Sequence, residues 1–280
     1  MRIISSLSEF KNFRNNLSGT IGFIPTMGAL HEGHLSLINK SNHNCEHTVV
    51  SIFINPTQFS KGEDLNSYPK TLERDLELLK KNHVDVVFLP TNDTMYPSGY
   101  STFINENTVS RGLEGKSRPT FFKGVVTVVA KLFNIVNPTH SFFGEKDAQQ
   151  LRVIKKMVVD LNFPIEVIAC PTIREKNGLA MSSRNEYLSL ESKESAAIIY
   201  NALTYAISLL NNGELNSDVI RQKITKKIES LLRAQIDYIS VSDNSSLSEI
   251  KGEINGSIII SVAVYFDGVR LIDNISYSSD

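Results

Sequence analysis

Two histidines, His31 and His34, lie three residues apart in the stretch PTMGALHEGH and have the clearest potential for chemistry. The stretch follows an apolar run typical of a strand and precedes a segment with helical character. The first turn of a helix carries unpaired N–H groups and partial positive charge, which favour phosphate, and imidazole N–H groups can donate to the same oxygens. A metal held by the pair is not expected, because the spacing is HExH instead of HExxH. The residues indicate phosphate binding, with a purely structural role as the alternative.

A second group of polar residues lies in the stretch FFGEKDAQQL, which again places a glycine turn between an apolar strand and a helix. Lys146 could neutralise a phosphate charge, and Asp147 lies near the predicted helix start. Gln149 and Gln150 can offer their amides to a polar ligand. Considered alone, the stretch favours a solvated helix cap, with Asp147 as the capping residue, over a ligand site.

Two further stretches contain groups suited to small ligands. In GLAMSSRNEYLS, the hydroxyls of Ser182 and Ser183 could bind phosphate and Arg184 could contact it through two nitrogens. In FINPTQF, Asn55 and Gln58 are neutral polar groups in an apolar setting, which suits a small polyol or acid. Taken singly, the first stretch is also compatible with an N-cap or a surface loop.

These stretches require a scaffold, and the first two-thirds of the chain predicts a doubly wound α/β domain. Buried strands are predicted at TIGFIP, TVVSIFIN, VDVVFLP, HSFFG and IEVIACP. Between them lie helical patterns in LSLINKSN, TLERDLELLKKN, FKGVVTVVAKLFNIV and AQQLRVIKKMVVDLN. Ligands of such folds bind at the carboxyl ends of the strands, which is where the polar stretches fall.

The pattern changes after about residue 171. The segments ESKESAAIIYNALTYAISLLNNG and SDVIRQKITKKIESLLRAQ predict two helices, and IDYISVSD, GSIIISVAVYF and VRLIDNIS predict an antiparallel sheet. We therefore predict a Rossmann-like catalytic domain at residues 1–175 and a smaller α+β lid domain at residues 176–280. The sequence REKNG, at residues 174–178, is the candidate hinge.

Composition limits the partners that the chain is expected to have. Its 29 basic and 30 acidic residues give a net charge of -1, whereas nucleic-acid binders usually carry a basic excess. The two cysteines form no CxxC pair, and the N-terminal residues lack the apolar core of a signal peptide. No apolar run is long enough for a membrane helix. These features predict a cytoplasmic protein.

Together the stretches resemble the pantoate–β-alanine ligase family. The matching motifs are PTMGALHEGH, YPKTLERD, FINPTQF, LEGKSRPTFFKGV, GEKD followed by QQL, MSSRN and VRLIDN, which cover nearly the whole chain. HEGH stands where class I aminoacyl-tRNA synthetases have HIGH, and MSSRN where they have KMSKS. The resemblance implies a HIGH-type nucleotidyltransferase fold.

The resemblance also implies the reaction. The carboxylate of pantoate attacks the α-phosphorus of ATP to form pantoyl adenylate and pyrophosphate, and the amine of β-alanine then displaces AMP to form pantothenate. The substrates supply the nucleophile and the electrophile, so the protein must mainly align them and stabilise negative charge. A homodimer with no nucleic-acid or membrane partner is implied.

The resemblance assigns roles to individual residues. His31, His34, Lys146 and Arg184 would act directly on the phosphates, with His34 as a candidate proton donor. Further ATP contacts would come from Met27, Gly28, Gly33, Gly144, Glu145, Asp147, Ile173, Met181, Ser182 and Ser183. Pantoate would contact Gln58, Gln150, Asn55 and Met27.

Magnesium is expected to arrive on the ATP phosphates, because Mg²⁺ prefers phosphate oxygens and water to a cage of protein ligands. Some relatives have consecutive acids in the helix after YPKT, but this chain has Glu73–Arg74–Asp75. We therefore predict no metal ligand from the protein.

Three alternatives remain open at this level. The first is a related nucleotidyltransferase with another acceptor, which Gln58 and Gln150 disfavour. The second is a tRNA-binding module derived from the synthetase fold, which the balanced charge disfavours. The third is an inactive interaction protein, which the presence of His34, Lys146 and Arg184 disfavours.

Overall fold

The fold is taken from a computed structural model that describes residues 1–60 and 62–278. The chain divides into two compact units. The first contains Met1–Glu145 and Gln150–Pro171, and the second contains Lys146–Gln149 and Thr172–Asp280. The predicted boundary after residue 175 and the lid role of the second domain stay predictions.

A six-stranded parallel sheet forms the centre of the first unit. Its strands are β1 (Arg2–Ile4), β2 (Ile21–Thr26), β3 (His47–Ile52), β4 (Val86–Phe88), β5 (His140–Gly144) and β6 (Glu166–Cys170). They lie in the order β1-β4-β3-β2-β5-β6. Along the chain, β3 and then β4 are added on one side of β2, and β5 and then β6 are added on its other side. The carboxyl end of β2 therefore borders the point where the strand order reverses, the usual ligand position in such sheets.

Helices cover both faces of this sheet. They are α1 (Leu7–Asn15), α2 (Glu32–Asn44), α3 (Leu72–Lys81), α4 (Asn92–Met95), α5 (Glu114–Ser117), α6 (Phe121–Val136) and α7 (Ala148–Asp160). Neighbouring residues of β2 contribute to opposite cores, because side chains alternate along a strand. Phe23 packs with Phe133 of α6 in one core, and Ile24 belongs with Ile38 of α2 to the other.

The second unit combines a three-stranded antiparallel sheet with helices. The strands are β7 (Ala234–Asp243), β8 (Ile258–Phe266) and β9 (Val269–Tyr277), with β8 in the middle. The helices are α8 (Leu190–Ala196), α9 (Ile198–Asn211) and α10 (Ser217–Ile228). Leu203 of α9, Ile224 of α10 and Val262 of β8 are fully buried in a shared core.

The predicted fold class is confirmed, whereas several element boundaries were wrong. β1 and α1 were not predicted, because β1 is a three-residue edge strand with little periodicity to detect. The long helix predicted at residues 191–213 is divided at Ala197. α10 ends at Ile228, earlier than predicted, and α2 begins at Glu32 instead of near Leu35. Over the described residues, no helix has the length and apolar character needed to cross a membrane.

Candidate active site

The loop after β2 turns sharply before α2 begins. Gly28 and Ala29 both have left-handed backbone conformations, with φ angles of 83° and 51°. Thr26 stabilises the entrance to the turn, since its hydroxyl accepts a hydrogen bond from Gly28 N at 3.2 Å and donates to Ser51 O at 2.8 Å. Glycine suits position 28 because positive φ is free of steric cost there, whereas Ala29 requires support from its neighbours.

Asp75 supplies that support from the first turn of α3. Its side-chain oxygens accept hydrogen bonds from Ala29 N and Leu30 N, each at 2.9 Å, and from Thr71 Oγ1 at 3.2 Å. Asp75 is only 1% exposed. Its carboxylate is therefore committed to the backbone of the β2–α2 loop, a role that sequence reasoning missed, since it considered this residue only in connection with Mg²⁺.

The two histidines cap the N-terminus of α2 together. His31 is the N-cap residue, and its Nδ1 accepts a hydrogen bond from Gly33 N at 3.1 Å. Nδ1 of His34 accepts from His31 N at 3.4 Å, and the ring centroids lie 4.2 Å apart. A nitrogen that accepts from a backbone N–H carries no proton, so each neutral ring has its proton on Nε2. The pair therefore offers Nε2–H donors at a helix start.

Gly33 is required by this cap, because a Cβ atom at that position would lie 2.8 Å from Cε1 of His31. The two histidines and the glycine of HEGH are consequently one structural unit. Its arrangement suits an anion, since the positive end of the helix dipole and the two imidazoles belong to the same turn.

Asn55 and Gln58 follow β3. Asn55 immediately precedes a 3₁₀ turn at Pro56–Gln58, and Gln58 is the last residue of that turn. Gln58 Nε2 donates to the sulfur of Met27 at 3.1 Å, so two of the residues predicted to contact pantoate are in contact with each other. Asn55 is 1% exposed and Gln58 is 8% exposed. Gln150, the fourth residue predicted for pantoate, lies in the first turn of α7 and is half-buried.

Arg118 adjoins Gln58 and was not identified from the sequence. It donates to both carboxylate oxygens of Glu63, at 2.8 and 2.6 Å, and to Gln58 O at 3.2 Å. Its guanidinium also lies 3.8 Å from the ring centre of Phe121. Burial alone would raise the pKa of Glu63, but the hydrogen bonds and charge of Arg118 outweigh it and hold this pKa below its usual range.

The stretch GEKD forms the end of β5 and the turn that follows it. Gly144 is the last residue of β5, and Glu145–Asp147 form a 3₁₀ turn before α7. Within the second unit, Nζ of Lys146 lies 3.9 Å from Oδ1 of Asp147. The carbonyl of Lys146 accepts a hydrogen bond from Asn274 Nδ2 at 2.9 Å, so the motif VRLIDN fixes the backbone of the lysine.

The REKNG sequence forms the tip of a short hairpin. Ile173 O accepts from Met181 N at 2.9 Å, and Arg174 pairs with Ala180. The Arg174 guanidinium also binds the buried carboxylate of Asp273 at 2.5 and 3.0 Å. The carbonyl of Ile173, a predicted adenine neighbour, is therefore already hydrogen-bonded within the hairpin.

The MSSRN motif is anchored by its last residue. Nδ2 of Asn185 donates to Glu175 Oε1 at 3.0 Å and to Ala180 O at 3.1 Å, and this side chain is buried. Ser182 caps the 3₁₀ turn at Ser183–Tyr187, with its Oγ accepting from Arg184 N at 3.3 Å. Sequence reasoning stressed the serines and Arg184, and it missed Asn185, whose amide joins the motif to the hairpin.

No metal centre built from protein side chains is present in the portion of the chain described here, since nowhere in it do three or more His, Cys, Asp or Glu residues form a group suited to an ion. The candidate ligand-binding groups are the helix cap, the Met27–Gln58 contact and the two stretches around Lys146 and Arg184.

Comparison with known proteins places these features in a family. The family profile described as Pantoate-beta-alanine ligase matches residues 2–276. The pantothenate synthetase of Acetivibrio thermocellus is 50% identical over 98% of this chain and 99% of its own length. That of Pseudothermotoga lettingae is 49% identical, with 98% of each chain covered.

Solved structures agree with the sequence relatives. The crystal structure of pantothenate synthetase from Thermus thermophilus has a TM-score of 0.93 and 40% identity, covering 98% of this chain and 99% of that one. A pantoate–β-alanine ligase from Francisella tularensis, described as complexed with β-γ ATP and β-alanine, has a TM-score of 0.80 and 37% identity, covering 98% and 97%. This chain therefore belongs to the pantoate–β-alanine ligase family.

Proposed function

We propose that this chain joins pantoate to β-alanine with ATP as co-substrate, forming pantothenate, AMP and pyrophosphate. The observation that carries the proposal is the cap of α2, where two imidazoles with protons on Nε2 lie at a helix start beside the central strand of the sheet. Membership of the ligase family supplies the substrates.

The reaction has two displacement steps. A carboxylate oxygen of pantoate bonds to the α-phosphorus of ATP, and the bond from that phosphorus to the bridging oxygen breaks, releasing pyrophosphate. The amine nitrogen of β-alanine then bonds to the acyl carbon, AMP leaves with the electron pair of the broken C–O bond, and the nitrogen loses a proton. Neither step needs a nucleophile from the protein, so catalysis depends on alignment and on donors that meet developing negative charge.

The residue roles follow from local geometry and from the family motifs. We propose His31 and His34 as phosphate donors through Nε2, and Lys146, Ser182, Ser183 and Arg184 as further phosphate contacts. Met181 is assigned to the phosphates with the two serines, and the backbone of Ile173 is assigned to adenine. The remaining ATP contacts are assigned to Met27, Gly28, Gly33, Gly144, Glu145 and Asp147. Pantoate is assigned to Met27, Asn55, Gln58 and Gln150.

Magnesium fits this site as an ion carried by ATP. Both oxygens of Asp75 already accept hydrogen bonds from the β2–α2 loop and Thr71, so this acid is occupied structurally. The ion would supply neutralisation of phosphate charge.

The test is ATP–pyrophosphate isotope exchange with Mg²⁺, with and without pantoate, and without β-alanine. Exchange that depends on pantoate is the expected result, because only reversible formation of an acyl adenylate returns labelled pyrophosphate to ATP. The substrate assignment would be overturned if exchange were absent in the presence of pantoate and no AMP were released after β-alanine was added.

We also propose a homodimer in a reducing cytoplasm. Cys45 and Cys170 are both free thiols, which suits a reducing compartment. Size-exclusion chromatography with light scattering tests the assembly, and the expected mass is twice the 31.2 kDa of one chain. A monomeric mass at micromolar concentration would contradict the proposal.

A further inference from the structure

We propose that Tyr96 is a positioning residue for acid recognition, which acts through Asn55 to hold the side-chain amide of Gln58 in one orientation. In this orientation Gln58 presents its N–H₂ group to the acid substrate, so that this subsite selects an acceptor oxygen. The inference rests on the proposed function for the identity of the acid, and it adds a residue that lies 41 positions from Asn55 along the chain.

The orientation of the Asn55 amide is set by partners that can play only one role. Thr57 N can only donate, and it contacts Asn55 Oδ1 at 3.4 Å. Gly124 O can only accept, and it receives Asn55 Nδ2 at 3.2 Å. An exchanged amide would set donor against donor and acceptor against acceptor, so the backbone selects these positions of Oδ1 and Nδ2, and the hydroxyl of Tyr96 reinforces them.

The orientation of Gln58 follows from that of Asn55. The second proton of Asn55 Nδ2 needs an acceptor, and Gln58 Oε1 lies 3.1 Å away. With Oε1 turned to Asn55, the Nε2 group of Gln58 lies on the opposite side of the amide, where it contacts the sulfur of Met27. A carboxylate or carbonyl oxygen is a far stronger acceptor than a thioether, so a ligand oxygen is expected to replace this contact.

Tyr96 completes the acceptor side of Asn55. Its hydroxyl donates to Asn55 Oδ1 at 2.8 Å, and Thr57 Oγ1 donates to the same oxygen at 3.0 Å. Burial raises the pKa of Tyr96, so the phenol keeps its proton and remains a donor at neutral pH. The ring is held by Phe53 and Tyr100, with centroids 6.3 and 5.1 Å away.

The turn that carries Gln58 has little freedom to move away from this network. A Cβ atom at Gly124 would lie 2.4 Å from Thr57 O and 2.7 Å from Gln58 N. The backbone of α6 therefore packs directly against the backbone of the turn. The amide of Gln58 is consequently oriented by hydrogen bonds on a backbone that α6 supports.

The first experiment compares Tyr96→Phe with Tyr100→Phe in the pantoate-dependent exchange assay. Tyr100 belongs to the same aromatic cluster, so its variant controls for packing. Loss of one hydrogen bond from the Asn55 network is expected to raise the KM for pantoate about fivefold in Tyr96→Phe, with kcat and the KM for ATP within about twofold. The Tyr100 variant is expected to match the parent protein. An unchanged KM for pantoate in Tyr96→Phe, or an equal rise in both variants, would overturn the proposal.

A double-mutant cycle separates positioning from a general structural effect. If Tyr96 acts through Gln58, Tyr96→Phe has no further effect on the KM for pantoate once Gln58→Ala has removed the amide. An effect of the same size in both backgrounds would show that Tyr96 acts independently of Gln58. Thermal unfolding of all four proteins checks that the comparison is made between folded chains.

Asn55→Asp tests whether the Gln58 amide presents its N–H₂ group to the acid. The substitution keeps the shape of the side chain at position 55 and removes Nδ2. The amide of Gln58 is then expected to turn its N–H₂ group to Asp, so the KM for pantoate rises at least about tenfold while ATP binding, measured by equilibrium dialysis, is retained. Retained pantoate affinity would refute the polarity argument. Because these assays begin with pantoate-dependent exchange by the parent protein, a failure of the proposed function is seen before any variant is compared.

Discussion

At the scale of single residues, the proposed phosphate-binding role of the HEGH histidines is compatible with the structural role that the sequence left as its alternative. Nδ1 of each ring caps the helix backbone, which leaves Nε2 as the protonated nitrogen that can meet a phosphate. The structural role therefore determines the chemical one, because the cap selects the tautomer. A protonated ring would lose the capping interaction, since Nδ1 would then become a donor.

Lys146 provides a direct test of charge stabilisation. Lys146→Ala is expected to lower the rate of adenylation by on the order of a hundredfold or more, because a cation that meets charge developing on the α-phosphate is removed. Single-turnover formation of pyrophosphate measures this step. Lys155→Ala, which removes an exposed lysine of α7, is the control and is expected to leave the rate unchanged. Equal rates for the parent protein and Lys146→Ala would exclude the lysine from the mechanism.

The cysteines give a prediction about pH. Burial at the end of β6 raises the pKa of Cys170 to about 11, and burial also raises the pKa of Cys45. Because only the thiolate reacts, Cys170 is expected to resist iodoacetamide at pH 8 and to react as the pH approaches 11 or when the chain unfolds. Peptide mapping by mass spectrometry distinguishes it from the less buried Cys45. Rapid labelling of Cys170 in the folded protein at pH 8 would contradict this.

The sequence selected candidate site residues, whose roles stay predictions, but it could not assign all their partners. His31, Gln58, Lys146 and Arg184 belong to short motifs, so a pattern along the chain was enough to select them. The partners of these motifs come from distant segments, and nothing in a local pattern distinguishes Tyr96 from another aromatic residue. The contact between Asn55 and Tyr96 depends on where α4 ends relative to the turn after β3. This position can be known only from the folded structure.

At the scale of elements, the site depends on short segments that follow strands. The β2–α2 loop is held by α3 through Asp75, and the turn after β3 is held by α6 through Gly124. In both cases a helix from elsewhere in the first unit fixes the backbone of a loop. These elements position functional groups more firmly than the loop sequences could by themselves.

Asp75→Asn tests the first of these supports. The amide places an N–H₂ group against a backbone N–H, so we expect the free energy of unfolding to fall by about 1–3 kcal/mol. We also expect weaker ATP binding, because the loop that precedes the helix cap loses a fixed conformation. Urea denaturation and equilibrium dialysis measure the two effects.

Glu73→Gln is the matched control for Asp75→Asn. It removes the same charge from the same turn of α3 at an exposed position, and its expected effect on the free energy of unfolding is within about 0.5 kcal/mol. If both variants behaved alike, charge would explain the result and the role of Asp75 in holding the loop would be refuted.

Element prediction succeeded where the hydrophobic pattern was strong. The five strands predicted from apolar runs such as VDVVFLP are present, and the order of alternating strands and helices indicated the parallel sheet. The break at Ala197 could not be predicted, because helix-forming residues continue on both sides of it. Residues 234–235 were assigned to a helix for a similar reason, and pairing with β8 places them in β7.

At the scale of the whole molecule, the balanced charge argues against binding of a long polyanion such as tRNA. With 29 basic and 30 acidic residues, the chain lacks the excess of positive charge that attracts a polyanion over long distances. The proposed ATP contacts are instead concentrated in a few turns. The overall composition and the local site therefore point to a small anionic ligand.

An RNA gel shift tests this conclusion. We expect no shift with bulk tRNA at 150 mM salt (about physiological) and at micromolar protein, because non-specific affinity without a basic surface is weak. A basic RNA-binding domain is the positive control. A shift that weakens steeply with added salt would instead support the nucleic-acid alternative.

The left-handed conformation of Ala29 affects the stage at which the β2–α2 loop becomes ordered, during folding or during nucleotide binding. Glycine at this position would let the loop sample many conformations, but Ala29 with φ 51° is restrained by its Cβ atom and by Asp75. Conformational entropy is therefore lost while the chain folds, and little remains to be lost when the nucleotide arrives. If the proposed nucleotide site is correct, the strain at Ala29 lowers the stability of the protein, and we expect the affinity for nucleotide to depend less on thermal disorder of the loop.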